Sequence, residues 1–446
     1  MAEQEESRID TDRVAALCAD LIRFDTTNRG EGDANGEREA AEYVAAELEK
    51  AGLVPTMLES APRRANVVAR MTGTDPSLPA LLVQGHLDVV PANPAEWTFP
   101  PFSGEIRDGY VHGRGATDMK DFVAMALGVL HRWAEQGRAP RRDIVFAFVA
   151  DEETTGTYGA HWLVDNHADL FAGCAASISE SGAYTTHATA ADGRPVRIYS
   201  IGTAERGTAH VLLTATGRAG HGSRRNDDNA VVRLARALVR IADHKWPVTL
   251  SPTVERCIVR TGAALGVPVD LSSDDAVDAT VAAFGAASKL VENTIRNSTT
   301  PTMLDAGLKV NIIPGTARAQ VDIRVLPGTE AQLLDELDRL LGPSINRTFV
   351  ANQPAVQAPL DTEWFDAMAG ALVAEDPEAV VVPYCLGGGT DAKAFSRLGM
   401  ACYGFNPLWI PPEFDYRSAA HGIDERVPVA ALAFGTNVLD RFLSTC

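Results

Sequence analysis

Two histidines and three carboxylates stand at wide intervals along this chain, each in a setting that suits a metal site. His86 lies in LLVQGHLDVVPA, Asp118 in HGRGATDMK, Glu153 in FAFVADEETTG, Glu180 in SISESGA and His421 in SAAHGIDER. Imidazole and carboxylate donors without thiolate suit zinc, manganese or cobalt. If one carboxylate bridges, these five side chains can hold two divalent ions, and such a pair activates water and stabilises developing charge. Charge counting agrees: two dications bring four positive charges, the three carboxylates return three, and one hydroxide leaves the centre neutral.

Taken singly, each residue also has a plainer reading. His86 and Asp88 form an HxD pair after an apolar run. Residues two apart on a strand share a face, so Asp88 can accept the second ring N–H of a ligating histidine and fix its tautomer. A lone HxD is equally a strand-end histidine beside a surface acid. Asp118 sits in a glycine-rich loop just before a helical stretch, where an aspartate commonly caps the helix. Asp151, Glu152 and Glu153 follow the apolar run FAFVA; three successive acids repel one another and favour a nearby cation, or else form a solvated loop. Glu180 and His421 are weak signals alone. The joint signal is stronger, because His86, Glu153 and Glu180 all follow runs that read as strands. Open α/β sheets gather their ligands at the carboxyl ends of strands.

The elements that must position these groups follow from periodicity. Apolar spacing of three and four predicts helices over about 11–24, 37–52 and 120–136. Apolar runs near 66–71, 80–90 and 143–153 predict strands, so the first half reads as an α/β layer with a largely buried sheet. The character changes near residue 205. A strand over 208–216, a helix over about 228–243, two strands within 309–326 and a helix near 329–341 describe a small α+β unit. The stretch 245–300 reads as helix and loop without a clear place. After about 355 the α/β character returns and ends in a helix over 428–443. The expected architecture is a discontinuous catalytic domain, 1–205 and 350–446, interrupted by a lid and dimerisation domain over 206–349.

Composition bounds the function. The chain has 446 residues, 46% hydrophobic and 22% charged, with 40 basic and 59 acidic residues and a net charge of −19. That acidic balance argues against nucleic acid or an anionic membrane as partner. No apolar run approaches the roughly 18 residues that span a bilayer. The first residues, MAEQEESRIDTDR, have no apolar h-region and so no visible secretory signal. Six scattered cysteines without a CxxC pair read as reduced thiols of a cytoplasmic protein.

In order along nearly the whole chain, GHLDVVPA, GRGATDMKDF, ADEETTG, GRAGHGS, NIIPGTARAQVDIRVLPG, GGGTDA and AHGIDERV resemble the signatures of the aminoacylase and carboxypeptidase-G type metallopeptidases. That family includes acetylornithine deacetylase, succinyl-diaminopimelate desuccinylase and carboxypeptidase S relatives. The resemblance implies two divalent ions, usually zinc with cobalt or manganese as alternatives, bridged by Asp118. One ion would take His86 and Glu180, the other Glu153 and His421. Glu152 would be the general base and acid, Asp88 would steady His86, and the peptide bond after Asp118 would be cis. His221 would support the oxyanion, reaching a neighbouring subunit's site in a homodimer. Arg324, Asn311, Gly389 and Thr390 would hold the substrate's carboxylate, and Arg206 stands where several relatives carry lysine.

The activity implied is hydrolysis of a peptide or N-acyl amide beside a free carboxylate, through a hydroxide shared by the ions, in a small-molecule substrate. Two alternatives use the same site: cleavage of carbamoyl or other N-acyl groups, and N-acyl amino acid synthesis. A non-catalytic binding protein of the same fold is the remaining rival. All five ligands, Glu152 and Asp88 are present, which speaks against it.

Overall fold

The computed structural model describes residues 11–30 and 32–446; the acidic start of the chain, over 1–10, lies outside them. In chain order the strands that matter for the site are β1 (Thr56–Ala61), β2 (Arg64–Met71), β3 (Ala80–His86), β4 (Ile144–Val149), β5 (Cys174–Ser179), β6 (Thr185–Thr189), β7 (Pro195–Glu205), β8 (Gly207–Thr216), β9 (Ser298–Ala306), β10 (Thr316–Val325), β11 (Ile345–Gln353), β12 (Ala379–Leu386) and β13 (Ala401–Gly404). The described helices of ten residues or more are α1 (Thr11–Arg23), α2 (Arg38–Lys50), α3 (Lys120–Gln136), α4 (Ala230–Asp243), α5 (Pro252–Leu265), α6 (Asp274–Ala283), α7 (Glu330–Leu341), α8 (Glu363–Glu375) and α9 (Val429–Thr445).

A ten-stranded mixed sheet forms the centre, in the order β1-β2-β4-β3-β5-β13-β7, with a short strand Val356–Gln357 beyond β7 and with β6 and β12 also paired to β7. β3 runs parallel to both β4 and β5, and β13 runs parallel to β5. Alternate residues of these strands serve two cores. Leu81, Val83, Phe146 and Phe148 pack beneath α1, α3 and α9, while Leu82, Val145, Ala147 and Val149 pack on the opposite face. Burial on both faces makes such strands continuous apolar runs rather than alternating ones. α3 stops at Gly137, whose left-handed φ of 62° lets its N–H return to the Ala134 and Trp133 carbonyls, the usual helix-ending role of glycine.

The second sheet has the order β9-β10-β8-β11, all antiparallel. With α4 and α7 packed on one face, it is a βαββαβ unit of the ferredoxin-like kind. It differs from the sequence expectation in two strands. Only Ile312–Ile313 of the 309–315 run pairs as strand, and the edge is formed by β9, which is exposed over most of its length. An edge strand without a buried face has no period-two pattern to read.

The stretch left unplaced contains α5 and α6. Val254, Cys257, Ile258, Val277 and Val281 from these helices pack with Ile198 of β7 and Val382 of β12. The segment therefore covers the large sheet, although it lies within the expected 206–349 unit. Among the described residues no helix is long and apolar enough to cross a membrane.

Candidate metal centre

Because β3, β4 and β5 are parallel neighbours, the residues following them emerge at one edge of the sheet. His86 ends β3, Glu152 and Glu153 lie in the turn after β4, and Glu180 directly follows β5. Asp118 comes from the loop before α3, and His421 from the loop before the strand Arg426–Pro428. The helix-cap alternative for Asp118 does not hold: Met119 occupies the cap position of α3, without a side-chain cap. Both Asp118 oxygens face the site instead, Oδ1 3.1 Å from His86 Nε2 and Oδ2 3.1 Å from His421 Nε2. The peptide bond between Asp118 and Met119 is cis.

Two sets of donor atoms result, each within 4.8 Å of one another: His86, Asp118 and Glu180, and Asp118, Glu153 and His421. Glu153 Oε2 lies 3.0 Å from His421 Nε2, and its Oε1 is buried without a partner. Glu180 Oε1 is 3.9 Å and Glu152 Oε2 3.8 Å from His86 Nε2. An oxygen-and-imidazole donor set with an orphaned buried carboxylate oxygen fits divalent ions.

The electrostatics point the same way. Burial, reinforced by Glu180, holds the Glu152 carboxyl well above its ordinary range. Glu180 is raised by burial and then by Asp118. Glu153 is pushed up to about 6 by burial and Asp118, with His421 pulling the other way. For Asp118 burial works upward, but hydrogen bonds with His421 and His86 outweigh it and hold the carboxyl low. His421 is raised to about 10 by Asp118 and then Glu153. Burial favours the neutral form of His86, yet contacts with Asp118 and Asp88 hold it above its ordinary value. Divalent ions bound here would supply the charge that these raised groups otherwise draw from protons.

Asp88 has several partners besides His86. The strand ends at His86, so Asp88 turns into the loop. His86 Nδ1 lies 2.9 Å from the main-chain oxygen of Asp88 and 3.5 Å from its Oδ1. The Asp88 carboxylate accepts the Glu152 and Glu153 N–H groups at 3.1 and 3.2 Å, and Asn28 Nδ2 at 2.9 Å. Asp151, the first of the three acids, turns away to accept Arg64 at 2.9 Å and Asn28 at 3.0 Å. Arg64 is also forked onto Glu37 through two bonds of 2.9 Å. Asp151, Ser181 and His421 all adopt positive φ, 71°, 68° and 60°, a conformation unusual outside glycine and concentrated at functional sites.

The centre opens into a cleft of about 490 Å³ between the two sheets, within the range of small-molecule sites. Arg324 of β10 lines it, paired through two N–H groups with Asp322 at 2.7 and 3.0 Å. Arg206 stands behind it, donating to the Gly387 carbonyl at 3.0 Å and to Ser298 Oγ at 3.2 Å. Burial first, and the charge of Arg324 second, pull the Arg206 guanidinium below its ordinary value. Gly389 and Thr390 line the cleft too. A Cβ at Gly389 would stand 2.6 Å from Lys393 Nζ, and Thr390 spends both its N–H and its hydroxyl on Glu205.

His221 and Asn311 are not brought to this cleft within one chain. Both are exposed and lie together on a ribbon in which Gly220–His221 pairs with Ile312–Ile313. His221 Nδ1 accepts the Ser223 N–H at 3.2 Å. Among the cleft residues not singled out from the sequence are His210, 3.2 Å from Asp322, and Asp391. Asp391 is 5% exposed, its Oδ2 has no partner, and burial raises it to about 8. Its one sequence signal is its place beside Thr390 in GGGTDA.

Residues 82–445 match the family model described as Peptidase family M20/M25/M40. The chain belongs to this family. As an M20 protein it is a metallo-hydrolase of amide bonds. It is 29% identical over 368 residues to the human N-fatty-acyl-amino acid synthase/hydrolase PM20D1, covering 80% of this chain and 72% of that protein. It is 26% identical over 413 residues to pig (Sus scrofa) aminoacylase-1, covering 91% and 89%. The M20 family metallo-carboxypeptidase Sso-CP2 of Sulfolobus solfataricus shares its fold, with a TM-score of 0.70 at 18% identity over 97% and 98% of the two chains.

Proposed function

We propose that this M20 protein hydrolyses an amide bond beside a free carboxylate, in a peptide or an N-acyl amino acid. The observation that carries the reading is the pair of donor sets sharing Asp118. His86, Asp118 and Glu180 would hold one divalent ion, and Asp118, Glu153 and His421 the other, zinc being the first candidate. Bound there, the pair would polarise the scissile carbonyl and lower the pKa of a shared water toward about 7.

Glu152 then supplies the proton transfers. Its carboxylate takes a proton from the water as the oxygen adds to the carbonyl carbon. It returns that proton to the departing nitrogen as the C–N bond breaks, leaving a carboxylate and an amine. The Asp88 bonds to the Glu152 and Glu153 N–H groups hold base and ligand in register. Arg324 and Arg206 anchor the free carboxylate. Their charges act on each other, and among the described residues Arg206 has no carboxylate partner. An anion between them relieves that repulsion.

The unit built from β8–β11, α4 and α7 would act as the lid, so that lid residues fall at about 207–243 and 298–353. Its edge strand β9 exposes Met303 and Leu304 at 59% and 68%, and Leu308 and Val310 beyond it are almost fully exposed. An unpaired apolar edge is a natural place for a second copy. Homodimerisation there would let His221 and Asn311 serve a partner's cleft. Six unpaired thiols support a reducing compartment such as the cytoplasm. The test is removal of metal by chelation and reconstitution with zinc, cobalt or manganese, assayed on N-acyl amino acids and dipeptides. Full turnover in the metal-free protein would overturn the reading.

A further inference from the structure

A second, smaller cavity of about 230 Å³ opens off the same ligands. Asp118, Glu180, Ser181 and Leu386 border both spaces. Beyond them the small cavity is lined by Tyr184, Tyr384, Asn406 and Arg417, none of which serves the mechanism above.

Three polar groups around it lack partners. Arg417 donates through Nε to the Tyr184 hydroxyl at 2.7 Å and through Nη1 to the Lys289 carbonyl at 3.1 Å. Its guanidinium carbon lies 5.5 Å from the ring centres of both Tyr184 and Tyr384. Nη2 is buried without a hydrogen bond, and among the described residues no carboxylate pairs with this cation. Asn406, 2% exposed, donates to Asp121 and to the Tyr416 hydroxyl at 3.2 Å each, which leaves its Oδ1 buried and unpaired. Tyr384 is 8% exposed, and its hydroxyl makes no hydrogen bond among the described residues. Buried polar groups are normally paired, so Arg417 Nη2 and Asn406 Oδ1 call for a ligand that pairs them, and the Tyr384 hydroxyl is free to join it.

We infer that this cavity receives the acyl side of the substrate and selects a short acyl group ending in an oxygen acceptor, a carboxylate or a carboxamide, for Arg417 and Tyr384. The inference rests on the hydrolase reading, which assigns the other cleft to the amino acid carboxylate at Arg324. Size and polarity both bear on it. A cavity of about 150 Å³ takes a benzene ring, so this one takes a group somewhat larger. A long fatty chain exceeds this volume, and its methylenes would leave Arg417 Nη2 and Asn406 Oδ1 unpaired. A carboxamide would in addition give Asn406 Oδ1 the donor it lacks. The preference is therefore opposite to that in the name of the fatty-acyl relative.

The experiment uses the metal-reconstituted full chain and one amino acid carrying N-acetyl, N-butanoyl, N-succinyl, N-succinamoyl or N-palmitoyl groups. The expected result is a kcat/KM for the succinyl or succinamoyl compound at least about tenfold above the butanoyl one, with palmitoyl lowest. Which of the two leads distinguishes carboxylate from carboxamide. Arg417→Met and, as the milder change, Tyr384→Phe each shrink that ratio, and free succinate or succinamate inhibits the unmodified enzyme better than butanoate. Butanoyl or palmitoyl compounds turned over as well as the succinyl and succinamoyl ones would overturn the inference while leaving the hydrolase reading intact. So would a ratio unchanged in both variants. Failure to cleave any member of the panel, or of a dipeptide set run beside it, overturns both.

Discussion

Asp118 offers one carboxylate oxygen to each of two histidines, with Oδ1 3.1 Å from His86 and Oδ2 3.1 Å from His421. A single side chain thereby ties together two histidines more than three hundred residues apart in the chain, one from each donor set. Around that link stand raised carboxyls, raised imidazoles, and Glu152, held beside them by its own main chain.

Replacing Glu152 by Gln should preserve metal binding and remove the proton carrier. Loss of turnover by about 10²–10⁴-fold is expected, with unchanged metal content by elemental analysis. Near-normal kcat would take the base role away from Glu152.

The pH dependence of the metal-free protein has a definite sign. Glu153 is held up to about 6 against 4.5, and His421 up to about 10 against 6.5. Both bind protons more tightly when folded. Their stabilising effect is complete below the unfolded values and is lost as pH rises through about 6 and then about 10. The Tm of the metal-free protein should fall between pH 6.5 and 10, while zinc affinity should rise because binding requires the deprotonated ligands. A metal-free Tm that climbs across this interval contradicts the assignment.

Arg324 is expected to act on substrates through their carboxylate. Arg324→Ala should lower kcat/KM by about 10²-fold, in line with the roughly 2–3 kcal/mol of a charge-assisted hydrogen bond. The loss should disappear for substrates whose carboxylate is capped as an amide. Equal losses on capped and free substrates would point to a structural role.

Arg64→Met should be costly although it touches no ligand. It strands Glu37, fully buried, and Asp151, 2% exposed, beneath the Glu152–Glu153 turn. Breaking a buried pair from one side costs about 3–5 kcal/mol, which thermal or urea unfolding would register. A shift below about 1 kcal/mol would mean the network is relieved some other way.

How legible these features were follows from burial. β3 and β4 are buried on both faces, so their apolar runs stand out and mark His86 and Glu153 at their ends, whereas β5, CAASIS, carries two serines and marks Glu180 only weakly. β9 is exposed and contains Pro301, so no pattern announced it. Helical periodicity gives α5 an apolar face but does not name its partner, which is the large sheet. For Asp88 the two-residue rule brought the right neighbours together, but it assumed a strand that in fact ends at His86. Asp391 is marked only by the fold, which buries its carboxyl in the cleft, since an acid after a glycine-rich turn carries no pattern of its own.

The dinuclear centre is tested by the number of ions bound per chain, measured by elemental analysis and calorimetric titration on the unmodified protein and on His421→Ala. Two ions per chain are expected, of which His421→Ala loses one while His86, Asp118 and Glu180 keep the other. A single ion in the unmodified protein, or two retained in His421→Ala, would contradict that expectation.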